Sequence, residues 1–135
     1  MGVNAGLLDT SAYSALFSGH RRLADIAEEL DRLFLSPVVL GELRAGFLKG
    51  AHRAANESRL ESFLGKPGVA VMPLVEATAH RYAVIMDALR REGTPVPTND
   101  VWIAASAMEH GLKVLTLDKH FLEIRQILVE CFEPV

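Results

Sequence analysis

One feature restricts this chain more than any other. Short apolar runs of strand length recur along it, and the gaps between them carry the three-and-four spacing of helices. The runs are Val3–Leu8, Leu33–Leu35, Val69–Leu74 and Lys113–Leu117, with a weaker fifth at Val129–Phe132. Between the first two, Leu23, Ile26, Ala27 and Leu30 fall at i, i+3, i+4 and i+7, one face of a helix. Tyr82, Ile85, Met86 and Leu89 repeat the spacing up to Gly93, and Val101, Ala104, Ala105 and Met108 repeat it up to Gly111. Glycine ends helices in this way because it takes the left-handed turn without a Cβ clash. The last of these helices also has Trp102, Ile103 and Ala107 on its other sides, so burial nearly all round is expected. Ser36-Pro37 opens a further helix, a capping hydroxyl followed by proline at the first helical position, with Leu40, Leu43 and Phe47 along it. Leu60, Phe63 and Leu64 mark another. Strands alternating with helices imply β-α units: a three-layer α/β/α fold with a mainly parallel sheet of four or five strands.

Composition sets the outer bounds. The chain has 135 residues, half of them hydrophobic and 23% charged, with a formal charge of −3. That length suits one domain over 1–135, and a chain of this size buries about two thirds of its unfolded surface without staples. No run of about 18 uncharged apolar residues is present, so no membrane span is expected, and the first residues lack the basic start of a signal sequence. Cys131 is the only cysteine, which excludes an internal disulfide and a thiolate zinc site. A cytoplasmic protein is expected. The acidity argues only weakly against nucleic acid as a partner, because a cation held by clustered carboxylates reverses the local sign.

Of the seventeen acidic residues, Asp25, Glu28, Glu29, Asp31, Glu57, Glu61 and Glu92 read as solvated. Four stand elsewhere. Asp9 and Asp118 each end an apolar run, at the carboxyl end of a strand. Asp100 sits in the first turn of the apolar helix, after Thr94-Pro95-Val96-Pro97-Thr98-Asn99. Glu42 lies in the second turn of the helix opened by Ser36-Pro37. In a parallel α/β sheet the ligand crevice lies beyond the carboxyl ends of the strands, and the following helices begin there too. Helical side chains lean toward the N-terminus, which brings Glu42 toward the same edge. Four carboxylates so placed repel one another unless a cation compensates them, and oxygen ligands select a hard ion, Mg²⁺ or Mn²⁺. Such a site orients a phosphodiester, stabilises its charge and activates water for in-line attack.

Each residue also has a plainer reading. Asp9 suits the cap of a helix starting at Thr10, and Asp100 suits a helix dipole. Asp118 suits a turn before Lys119-His120-Phe121, and Glu42 suits an ion pair with Arg44 or another base. The functional reading rests on convergence of the four at one edge. The five histidines, at 20, 52, 80, 110 and 120, show no metal-ligand pairing in their spacing, and most are expected to be exposed. Arg21-Arg22 and Arg90-Arg91 read as solvated pairs at helix ends.

Four segments together carry a resemblance: Leu7-Leu8-Asp9-Thr10-Ser11, Ser36-Pro37-Val38-Val39-Leu40-Gly41-Glu42-Leu43, Pro95-Val96-Pro97-Thr98-Asn99-Asp100-Val101-Trp102-Ile103-Ala104-Ala105, and Leu115-Thr116-Leu117-Asp118-Lys119-His120-Phe121. In this order they resemble the PIN-domain ribonucleases, and within them the VapC-type toxins of bacterial and archaeal toxin–antitoxin pairs. The resemblance implies a metal-binding active site at Asp9, Glu42, Asp100 and Asp118, with Asp118 carried over less firmly because that position varies. Thr10, Ser11 and Thr116 are implied as supporting hydroxyls. It further implies Mg²⁺- or Mn²⁺-dependent cleavage of RNA, silencing by a VapB-like antitoxin, and a homodimer. Arg44 is placed either toward RNA phosphate or toward the antitoxin.

Rival readings are weaker. A haloacid-dehalogenase-like phosphatase needs a second Asp where Ser11 stands, and a receiver domain needs one where Met72-Pro73-Leu74 stands. Gly46-Phe47-Leu48-Lys49-Gly50 lacks the Gly-Lys-Ser/Thr of a phosphate-binding loop. A catalytically silent PIN module serving as a protein-binding scaffold would usually have lost one of the four acidic positions, and all are filled. A structure-specific DNA nuclease of this fold carries more acidic residues and longer added helices. The expectation is that Asp9→Asn removes cleavage while leaving the fold intact, with a gain in stability from relieved repulsion.

Overall fold

A computed structural model describes residues 4–135; Val3, at the head of the first apolar run, lies outside them. Five strands form one sheet: β1 (Ala5–Leu8), β2 (Arg32–Leu35), β3 (Val69–Val71), β4 (Lys113–Thr116) and β5 (Leu128–Cys131). Every pairing is parallel and the order is β3-β2-β1-β4-β5. The chain steps outward from β1 through β2 to β3, then returns past β1 to build β4 and β5. That reversal between β1 and β4 is where a parallel sheet opens its ligand crevice.

Helices join and flank the strands: α1 (Thr10–Phe17), α2 (Arg21–Glu29), α3 (Pro37–Lys49), α4 (Arg53–Leu64), α5 (Glu76–Glu92) and α6 (Thr98–His110). The three-layer α/β/α arrangement expected from the alternating pattern is the one observed. Ser36 caps α3, its Oγ accepting from the Val38 N–H at 3.1 Å. Gly93 and Gly111 close α5 and α6 in the left-handed region, at φ 67° and 65°.

Several boundaries differ from the sequence reading. Pro73 has no N–H to donate, so β3 stops at Val71, with one last bond from Met72 N to Leu35 O at 2.8 Å. β4 ends at Thr116 because the Leu117 N–H turns to Ser11 Oγ, 3.0 Å away. Leu30 leaves α2 for an extended conformation and packs on the core from there. The weak fifth run forms β5 one residue earlier than its apolar pattern, over Leu128–Cys131.

The core lies on both faces of the central strands. Leu7, Leu8, Leu35, Val114 and Leu115 are almost completely buried, each contributing about 1.5–3 kcal/mol by leaving water. Val101, Ile103, Ala104, Ala105 and Ala107 of α6 are buried too. Trp102 is only half-buried and stacks on Tyr82 of α5 with ring centroids 4.1 Å apart. Tyr13, Phe17 and Phe63 pack as an aromatic triplet joining α1 to α4, with centroids 4.7–5.6 Å apart. Four histidines are exposed and His20 is buried. The His20 Nδ1 accepts from the Leu23 N–H, capping α2, while Nε2 lies 2.8 Å from the Glu133 carbonyl and ties down the C-terminal segment. No described helix is long and apolar enough to cross a membrane.

Candidate active site

β1 delivers Asp9 directly to the carboxyl edge of the sheet. The Asp9 N–H still donates to Leu115 O at 3.2 Å, so the two central strands stay tied up to the carboxylate. Extended at Asp9, the chain then turns into α1, and Asp9 Oδ1 accepts from the Ala12 N–H at 2.8 Å. The plain reading of Asp9 as a cap therefore holds, and the residue occupies the crevice as well. Its side chain is 4% exposed and crowded with donors. Ser11 Oγ reaches both oxygens, at 2.8 and 2.9 Å, and Thr116 Oγ1 donates to Oδ2 at 2.6 Å. The hydroxyl directions are fixed from behind: Ser11 Oγ accepts from Leu117 N and Thr116 Oγ1 accepts from Asp118 N, at 3.0 and 2.8 Å. Burial raises the Asp9 pKa, the three hydrogen bonds oppose that rise, and the Asp118 charge adds to it.

Glu42 reaches the same edge from α3 and is held by two other helices. Thr10 Oγ1, at the start of α1, donates to Oε1 at 2.5 Å, and Asn99 Nδ2, at the start of α6, donates to Oε2 at 3.1 Å. Arg44 does not pair with Glu42. It bridges to Glu57 and Glu61 of α4, the latter at 3.1 Å, so these two acids are ion-paired rather than simply solvated.

Asp100, in the first turn of α6, accepts no hydrogen bond from any described residue. Its pKa is pushed up to about 6 by burial, then by the charges of Asp118, Asp9 and Glu42, with His120 pulling the other way. All four carboxylates are thus electrically coupled at Asp100. Asp118 caps a short 3-10 turn over Lys119–Glu123, its Oδ1 accepting from the His120 N–H at 2.9 Å. His120 Nδ1 lies 3.1 Å from the same oxygen.

One ligand atom each from Asp100, Asp118 and His120 lie within 4.8 Å of one another. Asp9 and Glu42 do not join that group of three. Two carboxylates and an imidazole at this spacing suit a divalent cation, and the half-buried Asp100 carboxylate without a donor is the group that most needs one. Histidine spacing alone did not reveal His120. The signal was its position two residues after Asp118, just past a strand end. The tie between Asn99 and Glu42 was likewise missed, since it depends on how α3 faces α6.

Comparison with known proteins agrees with this architecture. The PIN domain, as a sequence family, matches residues 6–127. Ribonuclease VapC5 of Mycobacterium tuberculosis is 36% identical over 87% of this chain and 85% of its own length. Ribonuclease VapC4 of the same organism is 34% identical over 70% of this chain and 73% of its own length. The crystal structure of VapBC-5, a member of the VapBC toxin–antitoxin family from M. tuberculosis, superposes with a TM-score of 0.75 at 33% identity, covering 96% of this chain and 98% of that one. VapBC2 from Rickettsia felis, solved on a promoter DNA fragment, shares the fold at a TM-score of 0.84 and 22% identity, over 93% and 97% of the two chains. With its sheet order, its acidic carboxyl edge and these relatives in agreement, the chain belongs to the PIN-domain family, among the VapC-type proteins.

Proposed function

We propose that residues 1–135 act as one PIN domain that hydrolyses RNA phosphodiester bonds, as the toxin of a type II toxin–antitoxin pair and with Mg²⁺ or Mn²⁺ as cofactor. The observation that carries this reading is the Asp100 carboxylate, half-buried, without a donor and facing three further acids. Relatives named Ribonuclease VapC support RNA as the substrate. Relatives solved as VapBC and FitAB complexes support a VapB-like antitoxin as partner. The same reading makes the chain a cytoplasmic homodimer.

A bound divalent ion supplies positive charge to the phosphodiester and a more acidic water for attack on phosphorus. Asp100 and Asp118, which keep open carboxylate oxygens, hold it. Asp9 already accepts from Ala12, Ser11 and Thr116, which leaves about one of its four lone-pair sites for the ion. Glu42, clamped by Thr10 and Asn99, closes the edge nearest α3. Ser11 and Thr116 keep the Asp9 carboxylate in one orientation.

The test is cleavage of an RNA pool by purified protein with Mg²⁺ or Mn²⁺, against chelator and against Asp9→Asn and Asp100→Asn. Cleavage lost in all three controls is the expected result. Cleavage that persists in the variants overturns the site, and cleavage that persists in chelator overturns the metal dependence.

A further inference from the structure

We infer that His120 is a nitrogen ligand of the cation, and that this ligand makes the site prefer a transition ion such as Mn²⁺ over Mg²⁺. The inference deepens the reading above, since it rests on the carboxyl edge holding a divalent cation.

Three observations converge on His120. Its ring nitrogen shares a 4.8 Å cluster with one oxygen each of Asp100 and Asp118, a group that neither Asp9 nor Glu42 completes. The charge of His120 is felt at Asp100, in the direction that opposes the three acids. The ring is also oriented: Nδ1 lies 3.1 Å from Asp118 Oδ1, while the His120 backbone N–H donates to that same oxygen at 2.9 Å. Two neighbouring ligands of one ion, each about 2.1 Å from it, sit about 3 Å apart, so this separation of Nδ1 and Oδ1 fits both atoms on the same cation. With its proton on Nε2, the neutral imidazole keeps the Nδ1 lone pair on the side of the two carboxylates. Asp118 Oδ2 accepts no hydrogen bond from any described residue and remains open to the same ion.

The alternative role for His120 is an exposed partner of Asp118, since 55% of its side chain is accessible. Such a pair contributes little and carries no preference among cations. The two roles differ in what the ion sees. Carboxylate oxygens alone suit Mg²⁺, which demands near-ideal octahedral oxygen coordination; an imidazole in the set shifts affinity toward Mn²⁺ and later transition ions.

The experiment uses the full chain with MnCl₂ or MgCl₂ alone, without RNA. Pulsed electron paramagnetic resonance of bound Mn²⁺ reads directly whether a nitrogen-14 nucleus is coordinated. Dissociation constants for both ions, with Mg²⁺ measured by competition, read the preference. The wild type is expected to show nitrogen coupling that His120→Ala abolishes. Mn²⁺ affinity should fall at least about tenfold in that variant, since even partners that only orient a ligand are worth about 10–100-fold. Mg²⁺ affinity should change much less. His120→Asp, an oxygen ligand at the same place, should restore binding with the preference shifted toward Mg²⁺. Because the ring is exposed and the backbone bond to Asp118 survives in both variants, folding is checked simply by the thermal melt of the metal-free protein.

Absence of nitrogen coupling in the wild type, its persistence in His120→Ala, or a parallel loss of both ions would each overturn the inference. Mn²⁺ bound without nitrogen coupling overturns it alone and leaves the metal-dependent nuclease standing. No Mn²⁺ binding at all overturns the two together. Nitrogen-coupled Mn²⁺ in a protein that cuts no RNA supports the ligand assignment and removes the nuclease reading.

Discussion

Thr116 Oγ1 donates to Asp9 Oδ2 at 2.6 Å while accepting from the Asp118 N–H at 2.8 Å, so one buried hydroxyl links two of the acids. Valine has nearly the same shape and neither function. Thr116→Val should therefore leave a buried carboxylate and a backbone N–H short of partners, at a cost of about 1–3 kcal/mol. Urea unfolding in chelator checks this, with Thr116→Ser as the control that retains most of the stability. Equal midpoints for wild type and Thr116→Val would mean the hydroxyl is not needed there.

Asp100 and Asp9 give the metal-free protein a pH dependence with a definite sign. In the unfolded chain Asp100 releases its proton near 3.8; in the folded chain it holds that proton until about 6. Between those values the folded state binds more protons than the unfolded state, so stability falls as pH rises through the window. Asp9, also raised, contributes in the same direction. The melting temperature in chelator should drop across this range more steeply for wild type than for Asp100→Asn. Divalent ion should recover the loss near pH 7. Parallel curves for wild type and variant would contradict the raised Asp100 pKa.

Relief of repulsion favours Asp100→Asn over Asp9→Asn. The Asp9 carboxylate accepts on both oxygens, and an amide nitrogen at Oδ2 would face the Thr116 hydroxyl donor. Asp9→Asn should thus lose cleavage without the stability gain that repulsion alone suggests, while Asp100→Asn loses cleavage and gains stability near pH 7 in chelator. Thermal melts of the two variants side by side distinguish them.

Asn99 holds Glu42 Oε2 from the first turn of α6. A hydrogen bond of this kind is worth about 0.5–1.5 kcal/mol, so Asn99→Ala should lower kcat/KM for RNA by roughly two- to tenfold. The same bond bounds the effect on stability, so the melting temperature in chelator should fall by no more than a few degrees. A loss of stability with unchanged cleavage would reverse the assignment.

Arg44 is engaged by Glu57 and Glu61, away from the four acids. Partly exposed pairs of this sort contribute about 0–1 kcal/mol. Arg44→Ala should lower stability by no more than that and leave RNA cleavage unchanged. A large drop in cleavage would show that substrate draws the guanidinium out of its pairs.

Much of the fold was legible because each element announces itself by short-range chemistry. Ser36-Pro37 starts α3, and Gly93 and Gly111 end α5 and α6. α1 was the exception, signalled only by the cap at Asp9, since Thr10–Phe17 has no clean amphipathic period. The carboxylates stood out because each falls at a strand end or in an early helical turn. His120 and Asn99 did not, because their partners are set by tertiary geometry: a 3-10 turn folding back after β4, and the facing of α3 and α6.

The pairing of β1 with β4 joins Leu8 to Leu115, and the acids come from positions 9, 42, 100 and 118 on separate elements. A chain cut short before Asp118 therefore lacks part of the constellation, and one cut short before β4 also lacks the strand to which Asp9 is bonded. The site is complete only when the fourth strand lies beside the first. A cut anywhere between those strands breaks the covalent link between Asp9 and Asp118, so proteolysis there should lower activity.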